Sequence, residues 1–289
     1  MLLCDRCFLR SVESRFRRAV YGGRMALPGE RIGVAVSGGK DSVSLLHLMT
    51  ELGRAKKFRV VALSVDEGIE GYREESLTCA REAASLLGVE HRVVSFRESF
   101  GAALDEMVRL AEERKTGLDP CTYCGVMRRY LLNRMAREAG LTRVATGHNL
   151  DDEVQTILLN YLRGDLSRLL RLGPVYSSRE GFVPRVKPLR EIPEREVAAY
   201  ALLRGLKVHL GQCPYARGMH AEVRDFLNRL ESRHPNCKFG ILRTFERLKA
   251  GLREDQKPEV ELGECEVCGE PTPTRVCRTC ELLEGLGLR

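Results

Sequence analysis

The chain has 289 residues, of which 43% are hydrophobic and 30% are charged, as in an ordinary globular protein with one large core. No segment approaches the roughly 18 apolar residues of a membrane helix. Asp5 and Arg6 interrupt the region where a secretory signal needs an apolar run. We therefore expect a cytoplasmic protein without membrane contact. The net charge of +7 suits a polyanionic partner, although solubility alone also explains it.

Strand-like and helix-like patterns alternate along the first half of the chain. Short apolar runs predict buried strands at 32–36, 59–65, 91–95 and 143–146. Helical spacing predicts helices at 41–52, 72–87, 99–113, 124–139, from about 151, and later at 193–205, 219–234 and 239–253. This alternation predicts an α/β fold with a parallel sheet between two helical layers. Ligands of such sheets bind at the carboxyl ends of the strands.

Composition divides the chain into four segments. Residues 1–28 form an Arg-rich N-terminal segment, and 29–212 form the predicted α/β domain. A helical extension covers 213–260, and a small cysteine-bearing module covers 261–289. The polar, proline-bearing run 254–264 between these two is predicted to be a linker.

A glycine-rich segment lies between the first predicted strand and the first predicted helix. It comprises Ser37, Gly38, Gly39, Lys40, Asp41 and Ser42. The two glycines let backbone amides approach an anion closely, and Lys40 adds a full positive charge to the helix N-terminus. The spacing is not that of a Walker A loop. A plain strand-to-helix turn does not need six such residues, so the segment predicts a phosphate-binding loop.

A second polar motif, from Gly147 and His148 to Asp152, follows a later predicted strand and enters a helix. Asn149 or Asp151 can cap this helix, and the acidic residues complement its dipole. Such a structural role is compatible with Asp152 also reaching a metal ion, a phosphate or a substrate proton.

Three cysteines fall within the predicted core domain. Cys121 and Cys124 form a CxxC pair, and Cys213 lies about ninety residues further on. Three thiolates can bind three irons of a [4Fe–4S] cluster and leave the fourth iron open. Alternatively, the pair can hold a persulfide and resolve it as a disulfide. A structural zinc pair with a buried Cys213 is the third interpretation.

The chain ends in a second cysteine pattern. Two CxxC knuckles with eight residues between them are typical of a zinc ribbon, in which four thiolates close a tetrahedral site. The predicted zinc ligands are Cys265, Cys268, Cys277 and Cys280. A further pair, Cys4 and Cys7, supplies only two thiolates and cannot close such a site alone.

The residues 37–42 resemble the SGGxDS signature of the PP-loop ATP pyrophosphatases, and 147–152 resembles their GHxxDD motif. The resemblance implies that ATP, accompanied by Mg²⁺, is cleaved between its α- and β-phosphates. AMP then passes to an oxygen of the substrate, and a nucleophile displaces it. It also implies that Gly147 and His148 help to bind ATP and that Asp152 is catalytic.

The order of motifs is similar, over nearly the whole chain, to that of TtuA-type tRNA 2-thiouridine synthetases, which are related to the TtcA-type enzymes. The motifs are Pro120-Cys121-x-x-Cys124, then Arg128-Arg129, then Cys-Pro-Tyr-Ala at 213–216. This resemblance implies that Cys121, Cys124 and Cys213 are catalytic and hold a [4Fe–4S] cluster. It implies a tRNA uridine as sulfur acceptor and a ubiquitin-like carrier protein or free sulfide as donor.

The same resemblance implies zinc modules at both ends and, as a family expectation, a homodimer. The family's N-terminal module has two knuckles, whereas Cys4 and Cys7 form only one, so this zinc site is expected to be incomplete. Arg128, Tyr130 and Asp152 are expected near the entering base. Arginines such as Arg190 are candidates for phosphate contacts, although each is more often part of a solvated face.

Two other functions compete with sulfur transfer. One is a PP-loop enzyme with a nitrogen nucleophile, of lysidine synthetase or amidotransferase type, which would not need three thiols. The other is a non-enzymatic zinc protein that binds RNA, which would not need the loop at 37–42.

Overall fold

A parallel sheet forms the centre of the computed structural model, which describes residues 3–175, 181–216, 219–251 and 262–289. Its five strands follow the order β3-β2-β1-β4-β5. They are β1 (Arg31–Ala35), β2 (Arg59–Asp66), β3 (Glu90–Ser95), β4 (Arg143–Ala145) and β5 (Arg185–Val186). All neighbouring pairs are parallel, with Ile32 of β1 opposite Val60 of β2 and Arg143 of β4. The α/β prediction is confirmed, and β5 is a short edge strand that the sequence pattern did not indicate.

Helices cover both faces of this sheet. They are α1 (Asp5–Gly22), α2 (Lys40–Lys56), α3 (Arg73–Leu86), α4 (Phe96–Phe100), α5 (Leu104–Glu113), α6 (Pro120–Glu138), α7 (Leu150–Leu162), α8 (Leu166–Arg171), α9 (Glu194–Leu203), α10 (Met219–Arg233), α11 (Cys237–Gly251) and α12 (Arg278–Gly285). Within the described ranges, none of these helices is long and apolar enough to cross a membrane.

The sheet separates two apolar clusters because side chains along a strand alternate between its faces. On one face, Ile32 and Val34 pack with α1, α2 and α9. On the other, Leu63 and Val65 pack with α5, α6 and α12. The strand order reverses between β1 and β4, and in open α/β sheets this reversal creates the ligand-binding crevice.

Three regions differ from the sequence-based expectation. The single helix predicted over 99–113 is two helices, because Gly101 adopts φ +80° and ends α4 in the left-handed conformation. The Arg-rich segment 1–28 contains helix α1, whose Val12 and Phe16 are buried in the core. The predicted linker 254–264 lies outside the described residues up to 261. Its end, Gly263–Glu264, forms β6, which pairs with β7 (Pro271–Thr272).

The C-terminal module is docked on the core domain. Leu282, Leu283 and Leu286 of α12 belong to the same apolar cluster as Met127 and Leu131 of α6. Their burial ties the cysteine-bearing end of the chain to the helix that begins beside Cys121.

Helices α10 and α11 belong to a third apolar cluster with α7, and buried charges reinforce the contact. Arg190 is only 2% exposed, and its guanidinium pairs with Glu153 of α7 and Glu246 of α11. Arg190, one of the candidates for a phosphate contact, is therefore enclosed and paired with two acids.

Candidate active site

The glycine-rich loop joins β1 to α2 at the carboxyl edge of the sheet, where the sequence places it. Gly38 has φ +92°, and a Cβ there would lie 1.8 Å from the backbone oxygen of Ser76. Only glycine fits, because both the conformation and the space exclude a side chain. The Ser42 hydroxyl accepts from the Ser37 amide (3.1 Å) and lies 3.0 Å from the Gly39 carbonyl, closing the loop.

Two groups hold the loop from behind. The Arg73 guanidinium donates to the Ser37 carbonyl at 2.7 Å. The backbone amide of His209 donates to the Gly38 carbonyl at 2.9 Å. The loop is thus fixed by its neighbours before any ligand arrives, which reduces the ordering cost of binding.

Lys40 is held between two acids. Its Nζ lies 2.9 Å from Asp41 Oδ2 and 2.7 Å from Glu194 Oε1. Partial burial disfavours the charge of Lys40, but Asp41 and Glu194 outweigh it, so the pKa of Lys40 is raised. The lysine is therefore cationic at neutral pH, as a phosphate-binding role requires.

Asp152 forms a reciprocal cap with Asn149 at the start of α7. The Asn149 amide donates to Asp152 Oδ2 (3.0 Å), and the Asp152 amide donates to Asn149 Oδ1 (3.1 Å). The Asn149 side chain also donates to Asp41 Oδ1 (3.1 Å) in the glycine-rich loop. Burial, together with the charges of Asp41 and Glu194, raises the pKa of Asp152 to about 7 despite the bond from Asn149. The carboxyl group can therefore give or take a proton near neutral pH.

The neighbouring acid has a different role. Asp151 accepts from the buried ammonium group of Lys238 on α11 and from the Glu194 amide at the start of α9. Asp151 is buried, and both of its carboxylate oxygens accept hydrogen bonds. It therefore helps to hold α9 and α11 beside α7. Of the two acids in the motif, Asp152 is the one that faces the loop.

Gly147 and His148 connect the second motif to the loop and to a group of cations. A Cβ on Gly147 would lie 3.1 Å from the backbone of Asp41, so the two segments pack tightly. Loss of solvent and the nearby charges of Lys187 and Arg128 lower the pKa of His148 to about 4. The imidazole is neutral at pH 7 and lies in a positive field that favours an anion.

Cys121 and Cys124 lie on the first two turns of α6. Asp119 caps this helix by accepting from the Cys121 amide at 2.8 Å. The Cys121 thiol lies 3.4 Å from the carbonyl of Tyr215, in the segment that carries Cys213. Cys213 is close enough to Cys121 and Cys124 to contribute to the raised pKa of each thiol, although burial is the main cause. The fold thus brings these three distant cysteines to one place.

The three thiols are grouped but do not form a closed ligand set. Within the described ranges, only the four ribbon cysteines form a group whose potential ligand atoms all lie within 4.8 Å of one another. Burial raises the pKa of Cys124 to about 11, and the Arg128 guanidinium opposes this rise. Three neighbouring thiols, here called the cysteine group, match the donor chemistry of an iron–sulfur cluster with an open iron.

Tyr130 contacts the ribbon instead of the cysteine group. Its ring packs against Phe100 (5.8 Å between centroids), and its hydroxyl is bonded to Cys268 of the ribbon. Burial and Cys268 raise the pKa of Tyr130. The expectation that it lies beside Arg128 near a substrate was wrong, because residues two apart on a helix point to nearly opposite sides.

The ribbon cysteines have the arrangement that the sequence predicts. Although burial opposes it, backbone N–H groups lower the pKa of Cys265 to about 6, which favours a thiolate ligand. The Arg289 guanidinium lies 2.9 Å from Cys280 Sγ and adds compensating positive charge. Such a set of sulfurs suits Zn²⁺. Cys4 and Cys7, in contrast, are both exposed at the start of α1 and lie outside any such group in the described part of the chain.

Four residues of this region were missed by the sequence analysis: Glu67, Arg73, Glu194 and His209. Glu67 follows the carboxyl end of β2, so the strand-edge rule was a usable signal for it. The others approach the loop from distant segments, and no local pattern indicates them.

Comparisons with known proteins agree with this geometry. A family model described as a PP-loop domain matches residues 10–209. The tRNA 2-thiolation protein NcsA of Haloferax volcanii is 39% identical over 98% of this chain and 93% of its own length. The tRNA-5-methyluridine(54) 2-sulfurtransferase of Thermus thermophilus is 38% identical over 99% of this chain and 86% of its own length.

A solved structure extends the likeness to three dimensions. The U34-tRNA thiolase NcsA from Methanococcus maripaludis, determined with its [4Fe-4S] cluster, has a TM-score of 0.84 and 35% identity to this chain. The match covers 98% of this chain and 89% of that structure. Loop, fold and extent of similarity together show that this chain belongs to the PP-loop family, in the group of tRNA 2-thiolation proteins.

Proposed function

We propose that this chain is an ATP-dependent tRNA sulfurtransferase that converts a uridine to 2-thiouridine. One observation carries the proposal: the nucleotide loop and the three cysteines share a single region. His209 binds the loop carbonyl of Gly38, and Cys213 follows four residues later on the same segment. Sulfur chemistry needs this proximity, because the sulfur must reach the atom that ATP has activated.

The loop 37–42 would hold the phosphates of ATP, with Lys40 leaving its carboxylate partners to contact them. Asp41, Asp152 and Glu194 lie close enough to influence one another's charge. Mg²⁺ prefers carboxylate and phosphate oxygens, so Asp41 and Glu194, once released by Lys40, are the groups that would support a magnesium ion accompanying the nucleotide. Gly147 and His148 would complete the nucleotide pocket.

In the first step, the uridine O2 attacks the α-phosphorus of ATP. The bond from that phosphorus to the bridging oxygen breaks, and pyrophosphate leaves with the electron pair. The uridine N3 loses its proton, which Asp152, with a pKa of about 7, would accept. The positive charges of Lys40 and Arg128 stabilise the charge that develops on the phosphoryl group.

In the second step, sulfide forms a bond to uridine C2, and the C2–O2 bond breaks as AMP leaves with O2. The hydrosulfide proton passes to uridine N3, and Asp152 would transfer it. Cys121, Cys124 and Cys213 would hold a [4Fe–4S] cluster, whose open iron supplies a site for sulfide when the cluster is bound. Arg128 lies beside these thiols and would orient the anionic adenylate.

Further elements of the proposal rest on the relatives and on the sequence. The ribbon would hold Zn²⁺, and the sulfur would come from free sulfide or a ubiquitin-like carrier protein. A homodimer and a cytoplasmic location are proposed too; a relative from Xenopus laevis is named cytoplasmic tRNA 2-thiolation protein 1. Relatives are named for position 34 in one case and position 54 in another, so both are candidates for the modified uridine.

The test is reconstitution from purified parts under anaerobic conditions. Protein supplied with iron and sulfide should gain about four irons. With ATP and an unmodified tRNA it should then form 2-thiouridine and release pyrophosphate, both detected by mass spectrometry and a coupled assay. Cys79→Ala is the matched control for Cys213→Ala, because Cys79 is a buried cysteine on a different helix, α3. Pyrophosphate release with a nitrogen-containing product would instead favour a nitrogen nucleophile, and normal thiolation by C213A would remove Cys213 from the sulfur chemistry.

A further inference from the structure

A buried carboxylate joins the nucleotide loop to the cysteine group. Glu67 follows β2 and is only 5% exposed. One of its oxygens lies 2.8 Å from Arg73 Nε, and the other lies 3.5 Å from Arg128 Nη1. One negative charge is thus shared by two guanidinium groups that belong to different parts of the site.

The first guanidinium supports the nucleotide loop. Arg73 is 4% exposed and donates to the Ser37 carbonyl and to the Ser76 hydroxyl, at 2.7 and 3.0 Å. Ser76 in turn supplies the backbone that lies against Gly38. Displacement of Arg73 would therefore release the loop on two sides.

The second guanidinium lies beside the cysteine group. Arg128 is one helical turn after Cys124, and its side chain is 47% exposed. Its positive charge affects Cys124 and also His148 of the second motif. The one carboxylate and two cations leave a net charge of +1.

We propose that Glu67 is a positioning residue: it pairs with Arg73, which Ser37 and Ser76 already hold at the loop, and thereby fixes Arg128 beside the cysteines. This inference rests on the proposed function. Glu67 would set the distance between the nucleotide and the thiols without touching the substrate. A carboxylate is needed because only a charged acceptor pairs with two guanidinium groups at once, and one of them, that of Arg73, is buried.

The test uses Glu67→Gln, which keeps the volume and removes the charge, with Glu67→Asp as the variant that retains the charge. Glu90→Gln is the matched control, because Glu90 also pairs with two arginines, Arg31 and Arg92, but at an exposed site on β3. Labelling of Arg128 by phenylglyoxal, read by peptide mass spectrometry, needs neither tRNA nor cluster. In E67Q this rate should rise about tenfold, because the Arg128 guanidinium loses its ion-pair partner. E90Q should match the wild type.

Kinetics provide the second readout. In E67Q, kcat for thiolation should fall about tenfold. KM for ATP should stay within about threefold, because Arg73 keeps its bond to Ser37. E67D should recover part of the loss. The double variant with Arg128→Gln should be no slower than Arg128→Gln alone, since Glu67 acts through that arginine.

The outcomes separate this proposal from a purely stabilising ion pair and from the proposed function. Unchanged labelling of Arg128 in E67Q, or kinetic losses that multiply in the double variant, overturns the positioning role. A fall in melting temperature alone, with labelling and kcat of the wild type, does the same. If the wild-type protein fails to thiolate tRNA, the proposed function fails, and the labelling comparison still decides the role of Glu67.

Discussion

The ammonium group of Lys40 lies 2.7 Å from the carboxylate of Glu194, so the cation of the nucleotide loop is paired before any nucleotide binds. ATP must compete with this acid and with Asp41 for the same charge. Glu194 is itself fixed, because its amide donates to Asp151 at 2.8 Å. The ion pairs with Asp41 and Glu194 hold the Lys40 ammonium group in one position beside the loop.

Replacing Lys40 by alanine should abolish productive nucleotide binding. The loop 37–42 loses its one positively charged side chain, which would pair with the phosphates. Pyrophosphate release should therefore fall by at least about a hundredfold. The fold should survive, because the Lys40 side chain is not part of the apolar core. Lys207→Ala is the control, since Lys207 pairs with Glu82 on the surface. Wild-type pyrophosphate release by K40A would remove the loop from the mechanism.

Gly38→Ala should damage the same loop through sterics alone. The new methyl group would meet the Ser76 carbonyl at 1.8 Å, and φ +92° is strained for alanine. Gly88→Ala is a sharp control, because Gly88 also has a positive φ (+63°) but has nothing within 4 Å of the added Cβ. Isothermal titration should show loss of ATP binding in G38A only. Equal affinities in the two variants would show that the close approach to Ser76 is unimportant.

Asp152 should leave a signature in the pH dependence of stability. Its pKa is about 7 in the folded protein and near 3.8 when unfolded, so between these values the folded state binds the extra proton. Stability from this group therefore falls as pH rises from about 4 to 7. Asp152→Asn should lack that decline, so its melting temperature relative to wild type should increase across this window.

The control for that measurement is Asp225→Asn, because Asp225 is exposed on α10. Parallel melting curves for D152N and the wild type at every pH would contradict the raised pKa. Thiolation by D152N should also fall, whereas ATP binding should persist. Full activity in this variant would leave Asp152 with its capping role alone.

Removal of metal from the ribbon should weaken the core domain as well. Cys277→Ser with Cys280→Ser should release about one zinc ion per chain. Because α12 packs its leucines against α6, the melting temperature should fall by about 3 °C, equivalent to roughly 2 kcal/mol for a chain of 289 residues. Cys237→Ser is the control outside the ribbon. Unchanged metal content in the double variant would exclude the ribbon cysteines as ligands.

The sequence predicts what depends on local pattern. Apolar runs and turn residues located four of the five strands, and the loop at 37–42 stands where the parallel-sheet rule puts it. Pattern fails where tertiary contact decides. Tyr130 contacts the ribbon, on the side of α6 nearly opposite to Arg128, and the sequence does not indicate which neighbour each side of α6 meets. Glu194 and His209 reach the loop from segments more than 150 residues away, and no periodicity reports such a contact.

The most direct test of the account is nucleoside mass spectrometry of tRNA from a strain that lacks this gene. We predict loss of 2-thiouridine or its derivative, scored separately at positions 34 and 54. Complementation with the wild-type gene or with Cys79→Ala should restore the thiolated nucleoside, whereas Cys213→Ala and Lys40→Ala should not. Unchanged 2-thiouridine at both positions in the deletion strain would contradict the account. Loss of a lysidine- or amide-type modification instead would favour a nitrogen nucleophile.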